Sequence, residues 1–252
     1  MTTTRRALLL AAPGLLQARE GEVLRVGSFG ATPYVIDQGE APPKGALVDF
    51  CDQELAPRMG LQLAWQPVVT VPRLMRSLQD GTVDFCPMLT RTPEREALVR
   101  FAAASHWQFE SVIALRPDHE LAQRSRLQPS DLDGLRVGWI QGSPLPPQLE
   151  RRRVRWDLTS VLGWERSILV KVERGQIDAG YFSNSATPAW HARASGARLV
   201  LIPIEVPARP LYAAFSLQQP VALLARYEAA ARQAFTPGRF EGYLRRWQEQ
   251  AE

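Results

Sequence analysis

Apolar runs alternate with amphipathic stretches along the first hundred residues of the 252-residue chain. Residues 23–27 and 61–67 have the pattern of strands, whereas residues 45–60 and 71–79 have the spacing of amphipathic helices. The first of these helices is expected to end at Gly60, a common helix stop. This succession of strand and helix signals predicts an α/β fold with largely parallel sheets.

A buried strand, a threonine-containing turn and a helix start succeed one another just before Arg95. Thr92 is the expected N-cap and Pro93 the first helical residue, as is typical of helix N-termini. Arg95 then opposes the helix dipole, at a cost of about 0.3–1 kcal/mol. A bound anion would offset this cost, because the guanidinium and the free backbone N–H groups converge on one point. Pairing of Arg95 with Asp84 or Glu96 is the alternative, and the sequence leaves both open.

Several segments resemble, in the same order, the motifs of the family 3 extracellular solute-binding proteins, the periplasmic receptors of polar amino-acid ABC transporters. The motifs are a strand with a Pro-aromatic loop, a Gly-x-x-x-Asp helix, a Gly-x-x-Asp strand leading into Thr-x-Thr-x-Glu-Arg, the opening and last strand of a second lobe, and a terminal helix. They match residues 23–34, 45–49, 81–95, 132–143, 175–179 and 236–247. The resemblance covers residues 22–248.

This resemblance implies the periplasmic binding protein type II fold, in which two α/β lobes are joined by two crossover strands. Lobe 1 is expected to comprise residues 22–109 and 209–252, and lobe 2 residues 110–208. The crossings are expected near residues 108–114 and 205–211. Ligands of such folds bind in the cleft between the lobes, facing the carboxyl ends of the strands.

The resemblance also implies a ligand-binding set in that cleft. Its members are Arg95, Thr90, Tyr34, Phe29, Ser28, Ser143 and Ser183. Arg95 and Thr90 match the positions that hold the α-carboxylate of an amino acid in the family, whereas the aromatic residues would cover the rest of the ligand. Ser28 and Ser183 stand where the family usually places acids that hold the α-ammonium group. An ammonium buried without a carboxylate costs several kcal/mol, so a ligand without this group is expected.

Cys51 and Cys86 are the only cysteines in the chain. In the family arrangement, the helix that carries Cys51 packs beside the strand that carries Cys86. Exported proteins commonly join such a pair, and we therefore expect a disulfide. The alternative is two buried thiols, because free cysteine packs as a small hydrophobe.

Residues 1–18 are expected to be a secretory signal peptide, with a basic start, a short apolar run and a small-residue cleavage site. Export by the general secretory route or, through Arg5 and Arg6, by the twin-arginine route is open, and the mature protein is expected in the periplasm. The net charge is +4, and nearly all basic residues are arginines. The one basic run, at residues 151–155, is best explained as a solvated face, so no nucleic acid is expected.

No metal or cofactor is expected. The histidines His106, His119 and His191 are scattered, and the chain contains neither a phosphate-binding loop nor a nucleophile elbow. The sequence thus predicts a monomeric binding protein for a small polar or anionic solute, amino-acid-like or an organic acid, with an inner-membrane ABC permease as possible partner. A sensor or accessory binding protein is the alternative. A dehydratase-type lyase on the same fold is less favoured, with Glu110 and Asp178 as candidate acids.

Overall fold

The computed structural model describes residues 22–250. The expected signal peptide, residues 1–18, lies outside the described residues. Thirteen strands are described within this range. They are β1 Glu22–Val26, β2 Ile36–Gln38, β3 Ala41–Lys44, β4 Leu61–Trp65, β5 Phe85–Leu89, β6 Val99–Phe101, β7 Trp107–Phe109, β8 Val112–Leu115, β9 Arg136–Ile140, β10 Arg155–Thr159, β11 Ala179–Phe182, β12 Val200–Pro203 and β13 Arg209–Ser216.

Helices connect most of these strands, as the sequence pattern predicts. They are α1 Ala46–Phe50, a π-helical turn Cys51–Leu55, α2 Ala56–Met59, α3 Val71–Gln79, α4 Pro93–Glu96, 3-10 turns Glu120–Gln123 and Pro129–Leu132, α5 Pro147–Glu150, α6 Trp164–Glu173, α7 Ala186–Ser195, α8 Val221–Ala234 and α9 Arg239–Glu249. The predicted helix stop at Gly60 is confirmed, because this glycine adopts φ 64°, which favours a residue without a Cβ. No helix within residues 22–250 has the length and apolar character needed to cross a membrane.

The first sheet has the strand order β4-β1-β5-β13-β6, with β7 paired to β13. Strand β1 runs parallel to both β4 and β5, whereas β13 is antiparallel to its neighbours. Because β13 comes from the C-terminal part of the chain, both ends of the described chain build this sheet. We call this sheet and the helices packed on it lobe 1.

The second sheet has the order β10-β9-β11-β8-β12 and is formed entirely by the middle of the chain. We call it, with its helices, lobe 2. The chain passes from lobe 1 to lobe 2 between β7 and β8 and returns between β12 and β13, where the two crossings were expected. The residue at which each lobe begins stays a prediction.

Three apolar clusters fill the lobes. One cluster lies on the face of the lobe 1 sheet that carries α1, α8 and α9, and a smaller one surrounds Leu74 and Leu78 of α3 on the other face. The third fills lobe 2 beneath α6. Strands β1, β4 and β5 end toward the same edge, as do β9, β10 and β11 of lobe 2, so the loops that follow these strands face the cleft between the lobes.

Candidate functional site

The turn after β5 has the geometry that its sequence predicts. The Thr92 side chain caps α4 by accepting a hydrogen bond from the Arg95 backbone N–H at 3.3 Å, and Pro93 is the first helical residue. All of β5 is buried, so the turn projects from the centre of the lobe 1 sheet. Arg95 is thereby held at the carboxyl edge of the sheet, where the cleft begins.

The Arg95 guanidinium joins the two lobes. Its Nη1 donates to the carbonyl of Thr90 in lobe 1 at 2.8 Å, and its Nη2 donates to the carbonyl of Gly142 in lobe 2 at 2.9 Å. The alternative pairing of Arg95 with a neighbouring acid does not occur: Asp84 pairs with Arg25, and Glu96 pairs with Arg91. The role of Arg95 in ligand binding stays a prediction, and the sequence could not say which protein groups the side chain contacts.

Arg95 is a buried cation without an acidic partner. Its exposed fraction is 7%, and it forms no ion pair with any acid in the described part of the chain. Burial lowers the pKa of Arg95 to about 10, an effect that Cys86 opposes and the nearby positive charge of Arg209 strengthens. The side chain still carries its charge at neutral pH, and its two carbonyl partners do not neutralise it.

The lobe 2 loop after β9 is fixed beside Arg95. Gly142 has φ 81°, and a Cβ there would lie 2.9 Å from Pro72 at the start of α3, so only glycine fits this close approach between the lobes. The backbone carbonyl of Ser143 accepts a hydrogen bond from the Trp139 indole N–H at 2.9 Å. The structure thus brings Thr90, Arg95 and Ser143 to one end of the cleft.

A second contact between the lobes involves Glu165, which the sequence reading missed. Its Oε1 accepts the Thr32 backbone N–H at 2.8 Å, and its Oε2 lies 3.7 Å from His191 Nε2. The adjacent Trp164 indole N–H donates to the carbonyl of Gly30 at 2.9 Å. Both residues begin α6, which follows the carboxyl end of β10. This position after a strand was the one sequence feature that could have indicated their place at the cleft.

Phe29 and Ser28 lie where the first-strand loop meets both lobes. Phe29 packs against all three apolar clusters and lines an inner cavity of about 10 Å³, which has room for no more than a water molecule. The Ser28 hydroxyl is buried, and no hydrogen-bond partner for it is present among the described residues. It is thus a polar atom available to a ligand or a water molecule.

Tyr34 lies in the lobe 1 core, whereas Ser183 lies at the carboxyl edge of the lobe 2 sheet. Tyr34 is 5% exposed and packs among Trp107, Phe109 and Phe240, with ring centroids 4.9–6.3 Å apart, so its ring belongs to the lobe 1 core and not to the cleft surface near Arg95. Ser183 is half-buried just after β11. Among residues 22–250, the hydrogen bonds of Arg95 involve neither Tyr34 nor Ser183.

Asn184 follows Ser183 at the carboxyl end of β11. Its Oδ1 accepts the Thr187 backbone N–H at 2.8 Å at the start of α7. The side chain therefore completes a helix N-terminus within lobe 2. This role explains why an amide follows the serine without requiring a ligand.

The predicted disulfide between Cys51 and Cys86 is not formed in the structure, which contains two free buried thiols. The helix does pack on the sheet, but the two side chains lie in different apolar clusters. Phe85 faces the cluster of Cys51, and Cys86, as the next residue of the strand, faces the opposite side. The Cys86 thiol donates instead to the carbonyl of Met88 at 3.4 Å.

A larger cavity of about 500 Å³ opens between the lobes beside Thr90. Its walls are residues 90–94 of lobe 1, residues 144–150 of lobe 2 apart from Leu149, and the return crossing at residues 207–209. This volume lies within the usual range for small-molecule sites. Within residues 22–250 no three potential metal-binding side chains come together.

The two acids considered for a lyase lie away from these cavities. Glu110 is exposed between β7 and β8. Asp178 precedes β11 and accepts the Arg136 backbone N–H at 2.7 Å, so it stabilises the opposite, amino-terminal edge of the lobe 2 sheet. Neither carboxyl group lines either of the two cavities.

Solved structures with the same architecture include several binding proteins. An ancestral arginine-binding protein bound to arginine has 18% identity and a TM-score of 0.72, covering 89% of this chain and 97% of that one. A mutant of the arginine-binding protein from T. maritima has 22% identity and a TM-score of 0.72, covering 90% and 95% of the two chains. An ancestral amino acid-binding protein described as a precursor of cyclohexadienyl dehydratase has 21% identity and a TM-score of 0.70, covering 89% and 94%.

At these identities the structural similarity establishes the fold alone, which is the predicted periplasmic binding protein type II fold. No curated protein sequence matches the chain. The model of one protein family, however, matches residues 24–250, nearly the whole of the described chain. The chain therefore belongs to the bacterial extracellular solute-binding proteins, family 3.

Proposed function

We propose that this protein is a periplasmic receptor that captures a small polar or anionic solute between its lobes and delivers it to an inner-membrane ABC permease. The observation that carries the proposal is Arg95, a buried cation at the mouth of the cleft with only neutral carbonyl partners. Leaving a charge buried and unneutralised costs several kcal/mol, so an anion is the natural occupant of this position.

The solute is proposed to lack a buried α-ammonium group. Ser28 and Ser183 offer hydroxyls where the family usually has acids. Glu165 is the acid at the junction of the lobes, but the Thr32 N–H and His191 already contact its two oxygens. A carboxylate that is engaged in this way is less available to an ammonium group, which supports an organic acid over a simple amino acid.

Capture is proposed to proceed by closure of the lobes around the solute. Arg95, Trp164 and Glu165 each take part in a hydrogen bond across the cleft. A solute that contacts both lobes adds to these interactions only in the closed form and so shifts the population toward it. The permease would then recognise the closed form.

A lyase is less well supported than a receptor. Glu110 is exposed, Asp178 contacts the Arg136 backbone, and neither candidate acid lines either cavity. The similarity to a precursor of a dehydratase is a similarity of fold at 21% identity and adds no catalytic group.

A thermal-shift screen of the mature protein against amino acids, organic acids and polyamines tests the proposal. A ligand at 100 times its dissociation constant stabilises by about 2.7 kcal/mol, which raises the melting temperature of a chain of this size by several degrees. Organic acids are expected to give such a shift. A shift with polyamines and none with acids would contradict the proposal, because Arg95 would repel a cation.

A further inference from the structure

A second buried arginine borders the 500 Å³ cavity. Arg209 begins β13, on the chain's return from lobe 2, and lines the cavity together with Thr90. Its exposed fraction is 7%, and it forms no ion pair with any acid between residues 22 and 250. The exposed carboxylates of Glu94 and Glu150 lie on the cavity walls, but neither is within salt-bridge distance of Arg209.

The guanidinium of Arg209 is held by aromatic groups and not by a counter-charge. It lies over the ring of Trp139, 5.6 Å from the centroid, and close to the hydroxyl of Tyr181, which is itself fixed by a 2.7 Å hydrogen bond with Ser111. Such stacking orients the planar group while leaving most of its five N–H donors free. The Arg209 guanidinium is thus held in one orientation, but its positive charge is not neutralised.

Arg95 does not line this cavity but contacts one of its wall residues. Its guanidinium donates to the carbonyl of Thr90, a wall residue, and to that of Gly142, two residues before the wall residue Pro144. The charge of Arg209 is near enough to help lower the pKa of Arg95, after the larger effect of burial. Two positive charges therefore lie close together in a poorly solvated environment, where each raises the free-energy cost of burying the other.

We propose that Arg209 is a second anion-binding residue of the cleft, and that the solute is a dicarboxylate with one carboxylate on Arg95 and the other on Arg209. This inference rests on the proposed receptor function and specifies its solute. Two guanidinium groups suit two carboxylates, because each can donate two parallel hydrogen bonds to a planar anion. The cavity volume of about 500 Å³ accommodates an acid with a chain of several carbons.

Calorimetric titration of the mature protein with matched acids tests the inference. Succinate, glutarate and adipate are compared with butyrate, valerate and hexanoate, which have the same chain lengths but one carboxylate. At least one dicarboxylate is expected to bind more than tenfold more tightly than its monocarboxylate counterpart. Inorganic phosphate serves as a compact anion and is expected to bind more weakly than that dicarboxylate.

Arg209→Met should abolish the preference for a dicarboxylate over its monocarboxylate counterpart, while weak binding of the monocarboxylates remains. Arg209→Lys should retain part of this preference. Arg246→Met is the matched control, because Arg246 also stacks on a ring, 4.3 Å from the Tyr243 centroid, but outside the cleft. If Arg209→Met does not fold, the comparison of acids on the wild-type protein and on Arg209→Lys still tests the role of Arg209.

The outcomes separate the two proposals. Three results would overturn the role of Arg209 but not the receptor function. They are equal binding of mono- and dicarboxylates by the wild type, tighter binding of phosphate than of the dicarboxylates, and a dicarboxylate preference that survives in Arg209→Met. Binding of no carboxylate and no phosphate would overturn both this inference and the receptor function as proposed.

Discussion

Removal of the Glu165 carboxylate should open the cleft of the ligand-free protein. In Glu165→Ala the Thr32 N–H loses its acceptor, which lies at 2.8 Å across the junction of the lobes. A hydrogen bond to a charged group contributes about 1.5–3 kcal/mol. Since 1.36 kcal/mol corresponds to a factor of ten, the ratio of closed to open molecules should fall about 10- to 150-fold. Glu165→Gln keeps an oxygen acceptor and should give a smaller change.

Small-angle X-ray scattering measures the effect directly. A compact chain of this size has an expected radius of gyration of about 18 Å, and Glu165→Ala should exceed the wild-type value. The dissociation constant of a bound acid should rise in the same variant, because a smaller fraction of the molecules is closed before binding. Glu173→Ala, at the exposed end of the same helix, is the control.

A Glu165→Ala variant that keeps both the wild-type radius of gyration and the wild-type affinity would refute this prediction. That result would mean that the hydrogen bond between Glu165 and Thr32 does not help to hold the lobes together. The position of α6 relative to the first-strand loop would then depend on apolar contacts alone.

Two further predictions concern buried groups. Arg95→Met should weaken binding of any acid by at least tenfold but leave the melting temperature of the empty protein nearly unchanged, because removal of an unneutralised buried charge offsets the lost hydrogen bonds. The control Arg100→Met loses a hydrogen bond to the carbonyl of Gln219 outside the cleft and should not affect binding. A large loss of stability with intact affinity would show that Arg95 is structural. Burial raises the pKa of the Cys86 thiol to about 12 and that of the Cys51 thiol well above its usual value, so iodoacetamide at pH 8 should label both only after unfolding. A protein mass two hydrogens lower in the absence of reductant would show instead that the two cysteines form a disulfide.

Local rules predicted much of the fold. The cap at Thr92, the proline at the first helical position and the glycine stop at Gly60 depend on neighbours within a few residues, and all three are confirmed. The succession of strands and helices likewise follows from periodicity, which reports the buried face of each element. The expected crossings between the sheets come from the family resemblance and agree with the strand pairing.

The candidate site depended on information that local patterns lack. Whether Cys86 faces Cys51 depends on which side of β5 each residue occupies, and a shift of one position reverses the answer. Glu165 reaches the cleft from the start of a helix and Arg209 from the start of a strand, both far along the chain from Arg95. Their importance follows from burial without a counter-charge or from contact between lobes, and neither can be read from spacing.

Titration with glutarate and L-glutamate tests the central claim most directly, because the two acids differ only in the α-ammonium group. We propose an anion-binding cleft centred on Arg95, with serines at positions 28 and 183 where an ammonium-binding acid would be needed. Calorimetry should therefore show tighter binding of glutarate than of L-glutamate to the mature protein. Tighter binding of L-glutamate, or micromolar binding of any of the twenty amino acids, would contradict the account and identify an ordinary amino-acid receptor.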